Sequence, residues 1–195
     1  DDFFPAVSGF GGAGASATCR NGTASCPTTG INGRFNNAVE FDGVDDYIDF
    51  SSRRVNLSNG FTLESWFKTP GSSSDMTLFS SRNPIDDTLE VVVYMNADES
   101  TISVDYFEQT IATLGGVDDN LWHHWAIVVD TLEQTIVVYI DGDLSLGSNA
   151  VIDIDDENTR DITVVSEFRM GTGLSNSSNY FLGFLDEFRL WDGPR

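Results

Sequence analysis

From Ala38 to Trp191 the chain is written almost wholly in short runs that alternate apolar and polar residues, and this pattern constrains the fold more than any other feature. The runs AVEFDG, DYIDF, FTLESWFK and TLFSSR come first. LEVVVYM, STISVDYF and QTIATL follow, and WHHWAIVVD, QTIVVYIDG, AVIDID, ITVVSEFRMG and FLGFLDEFRLW complete the series. They are rich in Val, Ile, Thr, Phe, Tyr and Trp, and Gly, Asn, Asp and Ser punctuate them about every 8–12 residues. No window of helical length carries a 3.6-residue apolar period. Many short strands in one chain of 195 residues predict an all-β fold, a two-sheet antiparallel jelly-roll sandwich, and exclude a parallel α/β sheet. No repeat at a fixed spacing suggests a propeller or solenoid. Asp141-Gly142, after VVYI, is the signature of a type I′ hairpin turn.

Residues 1–37 are rich in Gly, Ala and Ser with little periodicity and predict an irregular N-terminal arm, with residues 38–195 forming one globular unit. That unit is large enough to fold without a metal or a disulfide. The start shows no basic stretch leading into an apolar one, so any signal peptide is expected to have been removed or to lie outside this sequence.

Charge narrows the partners. Ten basic residues, one of them a lysine (Lys68), stand against 31 acidic ones, a net charge of −21. Such a chain repels phosphate backbones and anionic lipid, which argues against nucleic acid as a partner. No run approaches the ~18 apolar residues of a membrane-spanning helix, so membrane insertion is not expected. The acidity has two readings: a solvated shell suited to salty or extracellular water, and carboxylates that hold divalent cations, calcium first among them.

The two cysteines, Cys19 and Cys26, lie in ATCRNGTASCPTTG. A local disulfide there would close a loop of about eight residues and add roughly 2–3 kcal/mol by constraining the unfolded chain; free thiols are the alternative. Zinc would need His123 and His124 as well, and neighbouring strand residues project to opposite faces. Sequons at Asn21, Asn56 and Asn176 suit an exported protein.

Five strings carry a resemblance. Asn37-Ala38-Val39-Glu40-Phe41-Asp42-Gly43-Val44-Asp45-Asp46-Tyr47-Ile48 resembles an opening N-A-x-x-F-D-G-x-x-D-Y-I. Phe61 to Lys68 resembles F-T-x-x-x-W-x-K, Trp122 to Ala126 resembles W-H-H-x-A, and Tyr139 to Gly142 resembles Y-x-D-G. The final strand, Phe184 to Trp191, resembles a closing D-E-V-R-I-Y strand. In this order and spacing, from about residue 35 to 191, they are similar to the laminin G-like, concanavalin A-like lectin domains. The resemblance implies a secreted or surface-exposed jelly roll that binds rather than catalyses, commonly as one module of a larger protein. It does not fix a ligand.

On the closing strand, alternation places Phe184, Asp186, Phe188 and Leu190 on one apolar, core-facing side. Asp186 is then a buried carboxylate that needs a cation, an arginine or backbone N–H donors. Related jelly rolls, laminarinase-type glycosidases among them, hold a structural calcium against such an Asp, so the resemblance implies calcium at Asp186. Asp42 is a second candidate ligand, and Asp45 and Asp46 extend the set, because calcium takes six to eight oxygens.

For a sugar, exposed aromatic faces and planar polar side chains are the relevant chemistry. Tyr94 and Tyr106 lie on mid-chain strands. Asn176, Asn179 and Tyr180 lie in or beside the loop 173–179, and Asp155 and Asp156 lie in an acidic loop suited to a ligand-bridging calcium. Strand aromatics are more often core, and such loops are more often plain loops. His123 and His124 read as sheet-packing or hairpin-anchoring residues. No E-x-D-x-x-E string or G-x-S-x-G elbow is present, and Glu64 and Glu90 stand alone, so an enzyme is not expected.

These readings converge on a secreted or cell-surface lectin-like module, calcium-stabilised, that recognises a glycan or cell-surface polymer within a larger adhesin or polysaccharide-processing protein. The alternative is a filament or stalk subunit that self-associates through its N-terminal arm.

Overall fold

The computed structural model describes residues 26–50, 60–83, 87–97, 100–144, 152–153, 167–174 and 179–195. No helix occurs among them. The strands are β1 (Thr28–Asn32), β2 (Asn37–Asp42), β3 (Ile48–Asp49), β4 (Phe61–Lys68), β5 (Met76–Arg82), β6 (Leu89–Met95) and β7 (Thr101–Tyr106), then β8 (Gln109–Gly115), β9 (His123–Asp130), β10 (Thr135–Ile140), β11 (Asp143–Leu144), β12 (Ile152–Asp153), β13 (Glu167–Met170) and β14 (Leu182–Asp192). The larger sheet runs β1-β2-β14-β4-β9-β10-β11, with β12 also on β10; the smaller runs β3-β13-β5-β6-β7-β8. This is the two-sheet jelly roll that the strand pattern predicts, with the closing strand β14 set between β2 and β4.

One side of each sheet is apolar, and the two apolar sides meet. Phe61, Leu63 and Phe67 of β4 and Trp125, Ile127 and Val129 of β9 face Val91, Val93 and Met95 of β6 and Ile102 and Val104 of β7. Phe188 stacks on Phe79 at 5.7 Å and on Phe50 at 6.0 Å, joining the closing strand to the smaller sheet. Each such aromatic removes enough apolar surface from water to contribute on the order of 2–3 kcal/mol.

Two expectations need correction. Thr28–Asn32, inside the stretch read as an irregular arm, is an edge strand paired to β2. Its alternation is broken by a register shift between Thr29 and Ile31, around Gly30 at φ 79°, which hides the strand from a pattern search. The second correction concerns β14. A bulge between Asp186 and Arg189, with Glu187 at φ 51°, inserts a residue and flips the alternation. Leu185 before it and Phe188 and Leu190 after it face the core, whereas Phe184 and Asp186 lie on the outer face opposite Lys68 and Trp66.

The Asp141-Gly142 hairpin forms as expected. Both residues have positive φ, 53° and 82°, as a type I′ turn requires, and it joins β10 to the two-residue β11.

Candidate functional site

The turn leaving β2 gathers three carboxylates. Asp42 Oδ1 accepts hydrogen bonds from the Val44 amide at 2.8 Å and the Asp45 amide at 3.3 Å, and the Asp42 amide donates to Asp46 Oδ2 at 2.9 Å. These local bonds fold the turn, a common use of Asp. They also bring carboxylate oxygens of Asp42, Asp45 and Asp46 within 4.8 Å of one another. Asp42 is exposed and Asp46 is buried. Burial raises the pKa of Asp46; the Asp42 amide opposes that, and the charges of Asp42, Asp45 and Glu40 raise it further. Gly171 lets the smaller sheet approach the turn. At φ 85°, a Cβ there would sit 2.5 Å from the Phe41 ring and 2.9 Å from the Asp46 carbonyl oxygen.

Asp186 is buried, as expected, but not in this group. It lies opposite Trp66, four residues along β14 from the partner of Asp42, roughly 13 Å away at the strand rise. Its Oδ2 accepts the Phe35 amide at 2.8 Å beneath the turn of residues 33–36. The turn closes that tightly because residue 33 is glycine: a Cβ would stand 2.5 Å from Asp186 Oδ2. Asp186 therefore has a backbone donor, one of the three partners its burial demands.

The sugar-contact candidates separate. Tyr94 is half-buried on the outer face of the smaller sheet, and its hydroxyl donates to Asp105 at 3.3 Å. Burial raises its pKa, with Asp105 adding to the shift. Tyr94 lies opposite Thr77, whose amide donates to the Asn179 carbonyl at 2.9 Å, so these two candidates reach one end of that sheet. Tyr106 is placed differently: it packs on the core with its ring edge-on to Phe107 at 4.7 Å. Tyr180 is half-buried just before β14. Asn176, Asp155, Asp156 and Cys19 lie outside the described residues, as do all three sequons; Cys26 is half-buried.

The histidines anchor structure. His123 bridges Asp141 at 2.8 Å and Asp119 at 3.0 Å, tying the loop before β9 to the β10–β11 turn. Burial disfavours its charged form, but the two carboxylates outweigh this and the pKa rises. His124, on the opposite face, packs against Trp66 at 5.1 Å and lies 3.3 Å from Glu64.

That outer face of the larger sheet was passed over in the sequence. Glu64 accepts the Trp191 indole N–H at 2.9 Å and faces Arg189 at 3.6 Å. Its pKa falls to about 2, chiefly through the hydrogen bond with His124, against burial and with help from Trp191 and Arg189. Arg189 also pairs with Glu187. Phe35 meets Trp66 edge-on at 5.8 Å, and the Arg34 guanidinium lies over both rings. The signal was present in FTLESWFK: period two sets Thr62, Glu64, Trp66 and Lys68 opposite Phe61, Leu63 and Phe67.

The described residues thus form a two-sheet antiparallel jelly-roll sandwich with a carboxylate turn and an aromatic outer face. The chain belongs to the concanavalin A-like lectin/glucanases superfamily, whose family model matches residues 42–195. It is 26% identical over 129 residues to the non-toxic nonhemagglutinin of Paraclostridium bifermentans, covering 61% of this chain and about a tenth (10%) of that protein. Two solved structures share the fold. Domain 4 of AbnA, an extracellular arabinanase of Geobacillus stearothermophilus solved with arabinotriose, superposes with a TM-score of 0.62 at 19% identity, over 89% of this chain and 77% of that one. The heptameric SAP-like pentraxin of Limulus polyphemus superposes with a TM-score of 0.62 at 13% identity, over 81% and 76%.

Proposed function

We propose that the chain is a carbohydrate-binding module, secreted or displayed at a cell surface, that recognises a glycan as part of a larger protein. The observation that carries this reading is membership of the lectin superfamily across residues 42–195. The arabinotriose-bound arabinanase domain, a sandwich of the same fold, supports it. Binding residues on such scaffolds gather where rigid strands present aromatic and polar groups outward. The module binds its polymer and leaves catalysis to other domains.

Calcium belongs to the same reading. Asp42, Asp45 and Asp46 offer hard carboxylate oxygens at a shared point, and their mutual repulsion is what a divalent cation relieves. Main-chain carbonyls and water would complete the shell. When bound, the ion neutralises these charges and holds the β2–β3 turn. A Cys19–Cys26 bridge fits the same exported setting.

Native gels cast with soluble polysaccharides, run in calcium and in EDTA, test the reading. Retardation by at least one polysaccharide is the expected result. Unretarded migration in every gel, by a chain with the far-ultraviolet signature of a folded β-sandwich, would overturn it.

A further inference from the structure

The cations among the described residues are unevenly paired. Six of the chain's basic residues, Arg34, Lys68, Arg82, Arg169, Arg189 and Arg195, fall among the described residues. On the smaller sheet, Arg82 pairs with Asp87 and Glu167, and Arg169 pairs with Asp49. The other four lie on the outer face of the larger sheet, following the β4–β14 ladder. Of these only Arg189 is paired, with Glu64 and Glu187. Arg34, Lys68 and Arg195 carry no ion pair among the described residues.

Each of those three stands on an aromatic ring instead. Lys68 Nζ is 5.7 Å from the Phe184 centroid. The Arg34 guanidinium is 4.9 Å from the Trp66 centroid and 5.1 Å from that of Phe35. The Arg195 guanidinium is 4.1 Å from the Trp191 centroid. The ladder gives their order. Phe184 lies opposite Lys68, Asp186 opposite Trp66, Arg189 opposite Glu64 and Trp191 opposite Thr62. From Thr62 to Lys68 the strand advances about 20 Å, so cation-on-ring units recur along one line, and Phe35 is 46% exposed beside it.

In a chain with 31 carboxylates, cations on one face that have no carboxylate partner among the described residues are complementary to an anion from outside. We infer that this face binds an acidic polysaccharide whose sugars carry carboxylates, that is, a uronic-acid polymer. Ring edges and faces serve the C–H surfaces of sugars, and the cations beside them serve one carboxylate per sugar or fewer. A densely sulfated chain is disfavoured by its greater repulsion from a molecule of net charge −21. The inference rests on the carbohydrate-binding reading and adds to it the face and the class of ligand.

The test is titration of the full chain with sodium polygalacturonate, with its fully methyl-esterified and therefore neutral form, and with dextran sulfate. The expected result is binding to polygalacturonate alone, weakened by raising salt. The double substitution Arg34→Gln, Lys68→Gln should weaken it by about tenfold or more, the worth of one charge-assisted contact. Added EDTA should leave it unchanged, which separates this face from a calcium bridge. Trp66→Phe, milder than removal of the ring, should weaken binding and keep the fold. Preference for dextran sulfate, or binding to neutral polymers that the double substitution does not alter, would overturn the inference and leave the carbohydrate-binding reading standing. Concentration-dependent dimers abolished by the double substitution would also overturn it, with a second copy as the occupant. No binding to any glycan, acidic or neutral, would overturn the underlying reading too.

Discussion

The imidazole Nε2 of His124 lies 3.3 Å from a carboxylate oxygen of Glu64, on the diagonal of the β4–β9 ladder. This contact, with the Trp191 indole and Arg189 behind it, holds the Glu64 pKa at about 2, against an ordinary 4.5. A depressed carboxylate contributes stability that is complete above its unfolded pKa and is lost as pH falls through the folded one. Glu64→Gln should cost on the order of 1–2 kcal/mol at pH 7. Its deficit against the parent chain should shrink between pH 4.5 and 2. Thermal unfolding of both across that range checks this; a deficit constant with pH would remove Glu64 from the account.

Asp46 behaves in the opposite sense. Its raised pKa means that the metal-free turn is least comfortable when all three carboxylates are ionised, and stability from this group returns as pH falls toward 3.8. In EDTA at pH 7, Asp45→Asn should raise the melting temperature slightly. In calcium at about one hundred times its dissociation constant, the parent chain should gain about 2.7 kcal/mol, and the Asp45→Asn chain much less. Calorimetry with and without calcium reads both signs. Equal melting temperatures for the parent chain in the two buffers would leave calcium without support.

Gly171→Ala should be costly out of proportion to one methyl group. The new Cβ would meet the Phe41 ring at 2.5 Å, and the backbone sits at φ 85°. Overpacking and left-handed strain together should destabilise by about 2–4 kcal/mol. The loss should fall first on the turn of residues 42–46, seen as faster amide exchange at Val44 and Asp45. A variant with unchanged stability would mean the turn is not clamped there.

His123 ties two loops through Asp119 and Asp141. Its pKa is raised above 6.5, so the contribution of the charged ring is complete below that value and fades as pH climbs through the folded pKa. Amide exchange of the β10–β11 turn should therefore quicken on going from pH 6 to 8 by more than the intrinsic rate. His123→Gln should abolish the excess; a turn indifferent to the substitution would contradict the tie.

What the sequence made legible, and what it hid, follows from locality. Strand runs and the Asp141-Gly142 turn are written in neighbouring residues, so period two and turn chemistry reveal them. The burial of Asp186 was legible for the same reason, because it lies among Phe184, Leu185 and Phe188. Its direction was not, because one inserted residue at Glu187 reverses every side chain before it relative to those after it. Asp42, Asp45 and Asp46 were found because a single turn holds them. The Arg34–Trp66 and Arg195–Trp191 units were missed in part because the first joins Arg34, in the turn between β1 and β2, to Trp66 of β4. No spacing rule links such partners; only the order β2-β14-β4 brings them together. Tyr106 packs on the core for a simpler reason: the alternation of β7 sets Asp105 outward and Tyr106 toward the core.

Whether this superfamily member binds sugar is decided by a glycan array probed with the full chain in calcium and in EDTA. The expected result is saturable signal on a restricted set of glycans, strongest on those bearing uronic acids. A silent array in both buffers, with a folded protein applied, would contradict it.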